Sequence, residues 1–149
     1  MRIVPHFDGE RTPNRPQARG IFHGITHSNF TQANIARAAI EGVIAGMVYA
    51  TQAVEKLGVS YSRVLLIGGA AKNPAVSQIA AALFGREVLV PPAGEYVANG
   101  AARQAAWALL GGDAAPIWDL GKIEKVSAAA TPEVIARYRT LRDQTEGWH

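Results

Sequence analysis

Apolar positions recur at helical spacing in the segment that follows Thr31. The spacing alternates between four and three residues, which places one continuous apolar face along a helix. Thr31 is suited to cap the first turn, because its hydroxyl can accept a hydrogen bond from a free amide. Gly58 is suited to end the helix near Leu57. The positions assigned to the buried face are Ala36, Ile40, Val43, Met47, Ala50 and Val54.

Shorter apolar runs indicate strands that alternate with further helices. The run RVLLIGG, residues 63–69, is almost continuously apolar, as expected of a strand that is buried on both faces. From residue 113 onward the pattern weakens, apart from a short charged helix at residues 131–142. Strands that alternate with helices predict an α/β layer fold. The other predicted strands cover residues 2–7, 20–26 and 87–91, and the other predicted helices cover residues 74–84 and 97–110.

The composition is that of a globular protein, and it favours some cellular compartments over others. The chain has 149 residues, of which 48% are hydrophobic and 18% charged, so one domain with a real core is expected. Cysteine is absent, which excludes disulfides and thiolate chemistry and fits a reducing compartment. The apolar stretches fall well short of the ~20 residues of a membrane span, and the start MRIVPHFDGERTP lacks the apolar core of a secretion signal. A cytoplasmic protein is therefore expected.

The net charge of +3 does not predict a nucleic-acid surface. Arg11, Arg15 and Arg19 cluster in a proline-rich loop, and the other basic residues are scattered. A nucleic-acid binder usually carries a denser basic stripe with aromatic residues between the charges. A solvated surface explains these arginines better, and we expect no nucleic-acid partner.

The isolated titratable residues give no catalytic or metal-binding arrangement. Asp8 precedes a glycine and is best explained as a turn former. Glu10 and Arg11 either pair across their loop or face a ligand, but a charged, proline-rich loop is best explained as solvated surface. Glu41 is either a buried hydrogen-bonding acid or points outward beside Arg37. Metal-ligand spacing is missing from the four histidines, which are His6, His23, His27 and His149.

The segment VLLIGGAAKNPAVSQIAAALFG is the strongest candidate for a ligand site. Gly68 and Gly69 follow a predicted strand, and glycine lets the backbone approach a flat ligand closely. Ala70 adds only a small side chain at this surface. The amide of Asn73 both donates and accepts hydrogen bonds, which suits an adenine edge. The spacing matches neither the GxGxxG dinucleotide fingerprint nor a phosphate-binding P-loop. The turn is therefore either a nucleotide site or only the connection between a strand and a helix.

Residues 20–41, GIFHGITHSNFTQANIARAAIE, resemble the C-terminal signature of the FGGY carbohydrate kinases. Three further segments, at residues 9–20, 65–85 and 90–111, are similar to the xylulose kinases within that family. The resemblance implies an actin-like or ribonuclease-H-like lobe, with a mixed sheet flanked by helices. It also implies an enzyme that phosphorylates a sugar with ATP and Mg²⁺, in which this lobe supplies the adenosine site.

The family pattern implies particular roles for the glycine turn and for the two parts of the chain. Gly68, Gly69, Ala70 and Asn73 are the positions that would contact the adenosine. Residues 1–112 would form a C-terminal lobe without its first part, and residues 113–149 a partly helical extension. The family's Asp-x-Gly phosphate motif, sugar pocket and general-base Asp have no counterpart here, and Asp8 does not match that Asp. We therefore expect the isolated chain to be inactive, with Mg²⁺ held mainly by the absent N-terminal lobe.

Three alternatives remain beside a xylulose kinase that converts ATP and D-xylulose to ADP and D-xylulose 5-phosphate. One is another kinase of the family, for a different pentulose, gluconate or glycerol. A second is a nucleotide-binding module without catalysis, and a third is a Rossmann-like dinucleotide domain, which the missing fingerprint disfavours. A lobe without its partner lobe also predicts an exposed apolar patch and self-association, for example as a homodimer.

Overall fold

The structure is a computed structural model that describes residues 1–148, so His149 lies outside the described residues. The helices are α1 (Gln32–Glu55), α2 (Pro74–Phe84), α3 (Tyr96–Leu110) and α4 (Pro132–Gln144). The strands are β1 (Arg2–Val4), β2 (Ile21–His23), β3 (Val64–Leu65), β4 (Val88–Val90) and β5 (Glu124–Val126).

The strands form two small sheets. β1 and β2 pair in antiparallel fashion, with Ile3 opposite Phe22. In the second sheet β4 is central, parallel to β3 and antiparallel to β5. The parallel connection from β3 to β4 passes through α2, as expected of an α/β fold. The predicted α/β class, with a mixed sheet flanked by helices, is therefore confirmed, although the sequence did not predict β5.

One apolar core joins the first sheet, the second sheet and three of the helices. Val4 of β1 and Val88 of β4 are 1% and 0% exposed. Ile135, Tyr138 and Leu141 of α4 pack into the same cluster. Each fully buried side chain of this size stabilises the fold by about 1.5–3 kcal/mol. Residues beyond 112 thus contribute to the same core as those before it.

α1 begins where the sequence predicts, but it buries a different face. The Thr31 hydroxyl accepts a hydrogen bond from the Asn34 amide at 3.3 Å, as a capping residue does. A side chain at Gly42 would place its Cβ 2.5 Å from the Ile3 carbonyl oxygen, so a small residue is needed where α1 crosses β1. The prediction of the buried face is wrong, because Val43 and Met47 are 47% and 48% exposed. The buried residues of α1 are Ala38, Gly42, Ile44, Ala45 and Val48.

The strand and helix around the glycine turn are also more exposed than predicted. β3 pairs with β4 along one edge, and Leu65 is 36% exposed, so the prediction of burial on both faces is wrong. α3 contains no buried residue among those described. Like α1, these elements carry exposed apolar side chains. Those with exposures of 45% or more include Val43, Met47, Val54, Ile67, Val97, Leu109 and Leu110.

Arg15 holds the proline-rich N-terminal loop against α4 and the residues that follow it. The guanidinium of Arg15 donates to the main-chain carbonyl of Arg142 and lies 3.2 Å from a carboxylate oxygen of Glu146. Arg142 is 7% exposed and forms an ion pair of 2.8 Å with Asp143. The cluster around Arg15 joins residues near the two ends of the described chain. Among residues 1–148, no helix combines the length and the hydropathy of a membrane span.

Candidate functional site

The glycine turn lies at the carboxyl end of β3 and leads into α2. Gly68 has a φ of 98°, a conformation that side-chain-bearing residues rarely adopt. A short 3-10 helix, Gly69–Lys72, follows it. The Oδ1 atom of Asn73 then accepts a hydrogen bond from the Ala75 amide at 3.0 Å and caps α2. The structure therefore explains Asn73 partly as a helix cap, a role that the sequence interpretation did not assign to it.

The turn leaves open space where a ligand could rest. A Cβ built at Gly68 or at Gly69 would meet no described heavy atom within 4 Å. Gly68, Gly69, Ala70 and Asn73 are all exposed, so the four predicted site residues form one accessible stretch of surface. Because Oδ1 of Asn73 binds the helix amide, the amide nitrogen is the atom that can face a ligand.

A cavity of about 250 Å³ adjoins this turn at the carboxyl ends of β3 and β4. Gly68 lines the cavity, whereas Gly69, Ala70 and Asn73 lie outside its lining. The opposite walls come from the loop after β4, the start of α3 and the segment that leads into β5. The side chains that the sequence did not point to are Pro92, Tyr96, Lys122 and Glu124.

Backbone pairing and one side-chain bond position the far walls of the cavity. Glu124 lies opposite Val90 in the antiparallel register of β4 and β5. The hydroxyl of Tyr96 donates to the Pro92 carbonyl at 2.5 Å. Lys122 and Glu124 carry no sequence signal, because they reach the cavity only when β5 pairs with β4.

The other candidate side chains have local structural roles. Oε1 of Glu10 accepts hydrogen bonds from the amides of Arg11 and Thr12 at 2.7 and 3.0 Å. Glu10 therefore binds the backbone of its own loop and not the Arg11 guanidinium. Asp8 precedes Gly9, whose φ of 84° marks a turn. Glu41 accepts a hydrogen bond from Nε of Arg37 at 2.7 Å while remaining 19% exposed, so it is both half-buried and paired.

His6 is a buried histidine beside a carboxylate. It is 3% exposed, and its Nε2 lies 3.8 Å from a carboxylate oxygen of Glu10. Burial lowers the pKa of His6, Glu10 partly opposes this, and the charges of Arg15 and Arg142 lower the pKa further. Among residues 1–148, no group of three or more His, Asp or Glu side chains is placed to hold a metal ion.

Known proteins match this chain over most of its length. Residues 1–109 match the C-terminal domain of the FGGY family of carbohydrate kinases. The xylulose kinase of Streptomyces rubiginosus is 41% identical over 148 residues, which are 99% of this chain and 30% of that enzyme. A glycerol kinase of Rhodopirellula baltica is 36% identical over 141 residues, which are 92% of this chain and 26% of that enzyme.

A solved structure shows the same likeness in three dimensions. The crystal structure of the xylulose kinase of Bifidobacterium adolescentis has 43% sequence identity and a TM-score of 0.75. The alignment covers 95% of this chain and 28% of that one. The chain thus spans less than a third of the length of these relatives. The resemblance first observed in residues 20–41 is confirmed, and the chain belongs to the FGGY family of carbohydrate kinases.

Proposed function

We propose that this chain is the nucleotide-binding part of an ATP-dependent sugar kinase, most closely a xylulose kinase. The observation that supports it best is the open glycine turn at the end of a parallel strand, in a chain of the FGGY family. The reaction of the whole enzyme would convert ATP and D-xylulose to ADP and D-xylulose 5-phosphate. The whole enzyme would also contain the regions of its relatives that this chain does not match.

In this proposal Gly68, Gly69, Ala70 and Asn73 contact the adenosine of ATP. The two glycines expose the backbone, so a flat base or a ribose can approach without meeting a side chain. The amide nitrogen of Asn73 donates to an acceptor atom of the adenosine, while its oxygen remains on the helix amide. The same side chain therefore orders α2 and faces the nucleotide.

Transfer of the phosphoryl group needs more than this chain supplies. The reaction depends on positioning the sugar hydroxyl, neutralising the phosphate charge and holding Mg²⁺. Mg²⁺ prefers carboxylate and water oxygens, and the described residues present no carboxylate cluster for it. We therefore assign Mg²⁺ binding, the sugar pocket and the general base mainly to an N-terminal lobe. Residues 1–112 would be the C-terminal lobe and residues 113–149 an extension that packs on it.

The choice of sugar follows the relatives. The Streptomyces and Bifidobacterium proteins are xylulose kinases, and the Rhodopirellula protein is a glycerol kinase. The second candidate is therefore another kinase of the family, acting on glycerol or gluconate.

An enzyme that takes its phosphate from ATP also fits a cytoplasmic setting, in agreement with the absence of cysteine.

Nucleotide titration tests the assignment of the site. ADP is titrated into the chain and into its Asn73→Ala and Gly69→Val variants, with calorimetry as the readout. The valine side chain would fill the open space above the turn. We expect each variant to weaken ADP binding by about tenfold or more, the size of one lost polar contact or one steric block. If both variants bind ADP as the unaltered chain does, the site assignment is wrong.

Segment exchange tests the activity and the substrate. The matching segment of the Streptomyces rubiginosus xylulose kinase is replaced by this chain, and phosphorylation of D-xylulose and of glycerol is measured. We expect the hybrid to act on D-xylulose, and the isolated chain to show no turnover. A hybrid that folds but acts on neither sugar would contradict the kinase proposal. Turnover by the isolated chain would contradict the need for a second lobe.

A further inference from the structure

The cavity beside the glycine turn is completed by residues outside the family match. The match ends at residue 109, but Lys122 and Glu124 line the cavity opposite Gly68. These two side chains reach the cavity because β5 pairs with β4, whose end forms the adjoining wall. The family domain and the segment after it therefore share one binding space.

The register of β5 separates the residues that face the cavity from those that do not. Glu124 lies opposite Val90, and both residues line the cavity. Lys125 lies opposite Leu89 and is absent from the lining, and its Nζ is 3.5 Å from a carboxylate oxygen of Glu87. Successive side chains of a strand point to opposite faces, which explains the difference. Lys125 is therefore a natural control for its neighbour.

The lining of the cavity suits a flat ring with a polar edge. Ile67, Pro92 and Tyr96 provide apolar walls, and the near wall combines Gly68, which has no side chain, with Ala71 and Lys72. The carboxylate of Glu124 only accepts hydrogen bonds, and the ammonium of Lys122 only donates them. An adenine edge carries an amino group that donates and a ring nitrogen that accepts. A 6-oxopurine instead presents an oxygen acceptor, which a carboxylate repels.

We propose that Glu124 and Lys122 recognise the edge of the adenine base and so select adenosine nucleotides over 6-oxopurine nucleotides. This inference rests on the proposed nucleotide-binding function. In it, Glu124 accepts a hydrogen bond from the amino group of adenine, and Lys122 donates to a ring nitrogen. The segment after the family match thereby sets the base preference, while the glycine turn supplies the surface on which the nucleoside rests.

Binding of ADP and IDP to the full chain tests this. The variants are Glu124→Gln, which keeps the size of the side chain, Lys122→Ala, and Lys125→Gln as the matched control. We expect the unaltered chain and Lys125→Gln to bind ADP about tenfold more tightly than IDP, the discrimination typical of one good base-edge contact. Glu124→Gln should bring the two affinities to within about twofold, because glutamine can accept from an amino group or donate to an oxygen. Lys122→Ala should weaken ADP binding several-fold.

The outcomes separate this inference from the proposed function. If the unaltered chain binds ADP and Glu124→Gln keeps the full preference for ADP over IDP, the inference is wrong and the nucleotide site stands. If the unaltered chain binds neither nucleotide, both fail. Loss of the preference in Glu124→Gln, with the preference kept in Lys125→Gln, would support the inference. Thermal unfolding of each variant confirms that the fold is intact.

Discussion

The guanidinium of Arg142 lies over the ring of Tyr49, with its central carbon 3.9 Å from the ring centroid. This contact joins α4 to α1 at a position where the arginine side chain is 8% exposed. A buried cation is attracted by the negative face of an aromatic ring. Among the described residues, the Nη1 atom of Arg142 has no hydrogen-bond partner, so the ring stabilises charge that hydrogen bonds do not fully satisfy.

Removal of this side chain should destabilise the whole domain. We expect Arg142→Ala to lower the free energy of unfolding by about 2 kcal/mol, from the lost ring contact and the lost packing of the arginine stem. Urea denaturation measures the change. Arg137→Ala is the control, because Arg137 is an exposed residue of the same helix and should shift stability by less than about 0.5 kcal/mol. Equal effects of the two substitutions would contradict a special role for Arg142.

The buried imidazole of His6 should make stability depend on pH. Its folded-state pKa is lowered from 6.5 mainly by burial, so the unfolded chain binds the proton more readily than the folded one. The contribution of neutral His6 to the free energy of unfolding is therefore fully present above pH 6.5, and it falls as the pH drops below that value. Urea denaturation between about pH 7.5 and 5.5 should show this fall.

A substitution isolates the histidine from other titrating groups. His6→Gln should flatten the pH dependence across that window, because no ionisable group remains at the position. His23→Gln changes an exposed histidine and serves as the control. If the slope is the same in His6→Gln as in the unaltered chain, another group causes it.

The two roles of Asn73 can be separated by the choice of substitution. Serine at this position can still cap α2 through its hydroxyl but lacks the amide nitrogen. We expect Asn73→Ala to lose about 1 kcal/mol of stability from the missing cap, and Asn73→Ser to lose little. Both should lose ADP affinity. Thermal unfolding and ADP titration of the two variants provide the measurements, and full ADP affinity in Asn73→Ser would leave only the capping role.

The exposed face of α1 should cause the chain to associate with itself. Met47 and Val54 are 48% and 45% exposed on the same helix, and large exposed apolar surfaces favour association. We expect the sedimentation coefficient of the chain to rise with concentration. Met47→Lys combined with Val54→Lys should reduce this rise, whereas Ile117→Lys, at a residue outside α1 that is 95% exposed, should leave it unchanged. A monomer at every concentration would contradict the prediction.

The helix boundaries could largely be predicted from the sequence, whereas the packing of the helix faces could not. Thr31 marks the start of α1 through local chemistry, and it caps the helix as predicted. The buried face of α1 was misassigned because the helix carries small or apolar residues on several sides. Periodicity alone therefore did not single out Ala45 and Val48, which are buried, over Val43 and Met47. Contact with β1 selects the face, and a single sequence does not show that contact.

Only part of the candidate site could be predicted from the sequence. Gly68 and Asn73 stand out because glycine permits an unusual backbone and an amide side chain both donates and accepts hydrogen bonds. Lys122 and Glu124 have no such signal, since the sequence pattern weakens from residue 113 onward. Only the pairing of Glu124 with Val90 brings it to the cavity, and such pairings depend on the whole fold.

The cavity takes its two walls from segments that are far apart in the sequence, with the glycine turn on one side and Lys122 and Glu124 on the other. Because of this division, the two walls can be substituted separately. The turn can stay constant because α2 and β3 depend on it, while exposed positions on the facing wall can change with little effect on folding. Under the proposed base recognition, a library randomised at Lys122 and Glu124 is the direct route to a variant with a different purine preference.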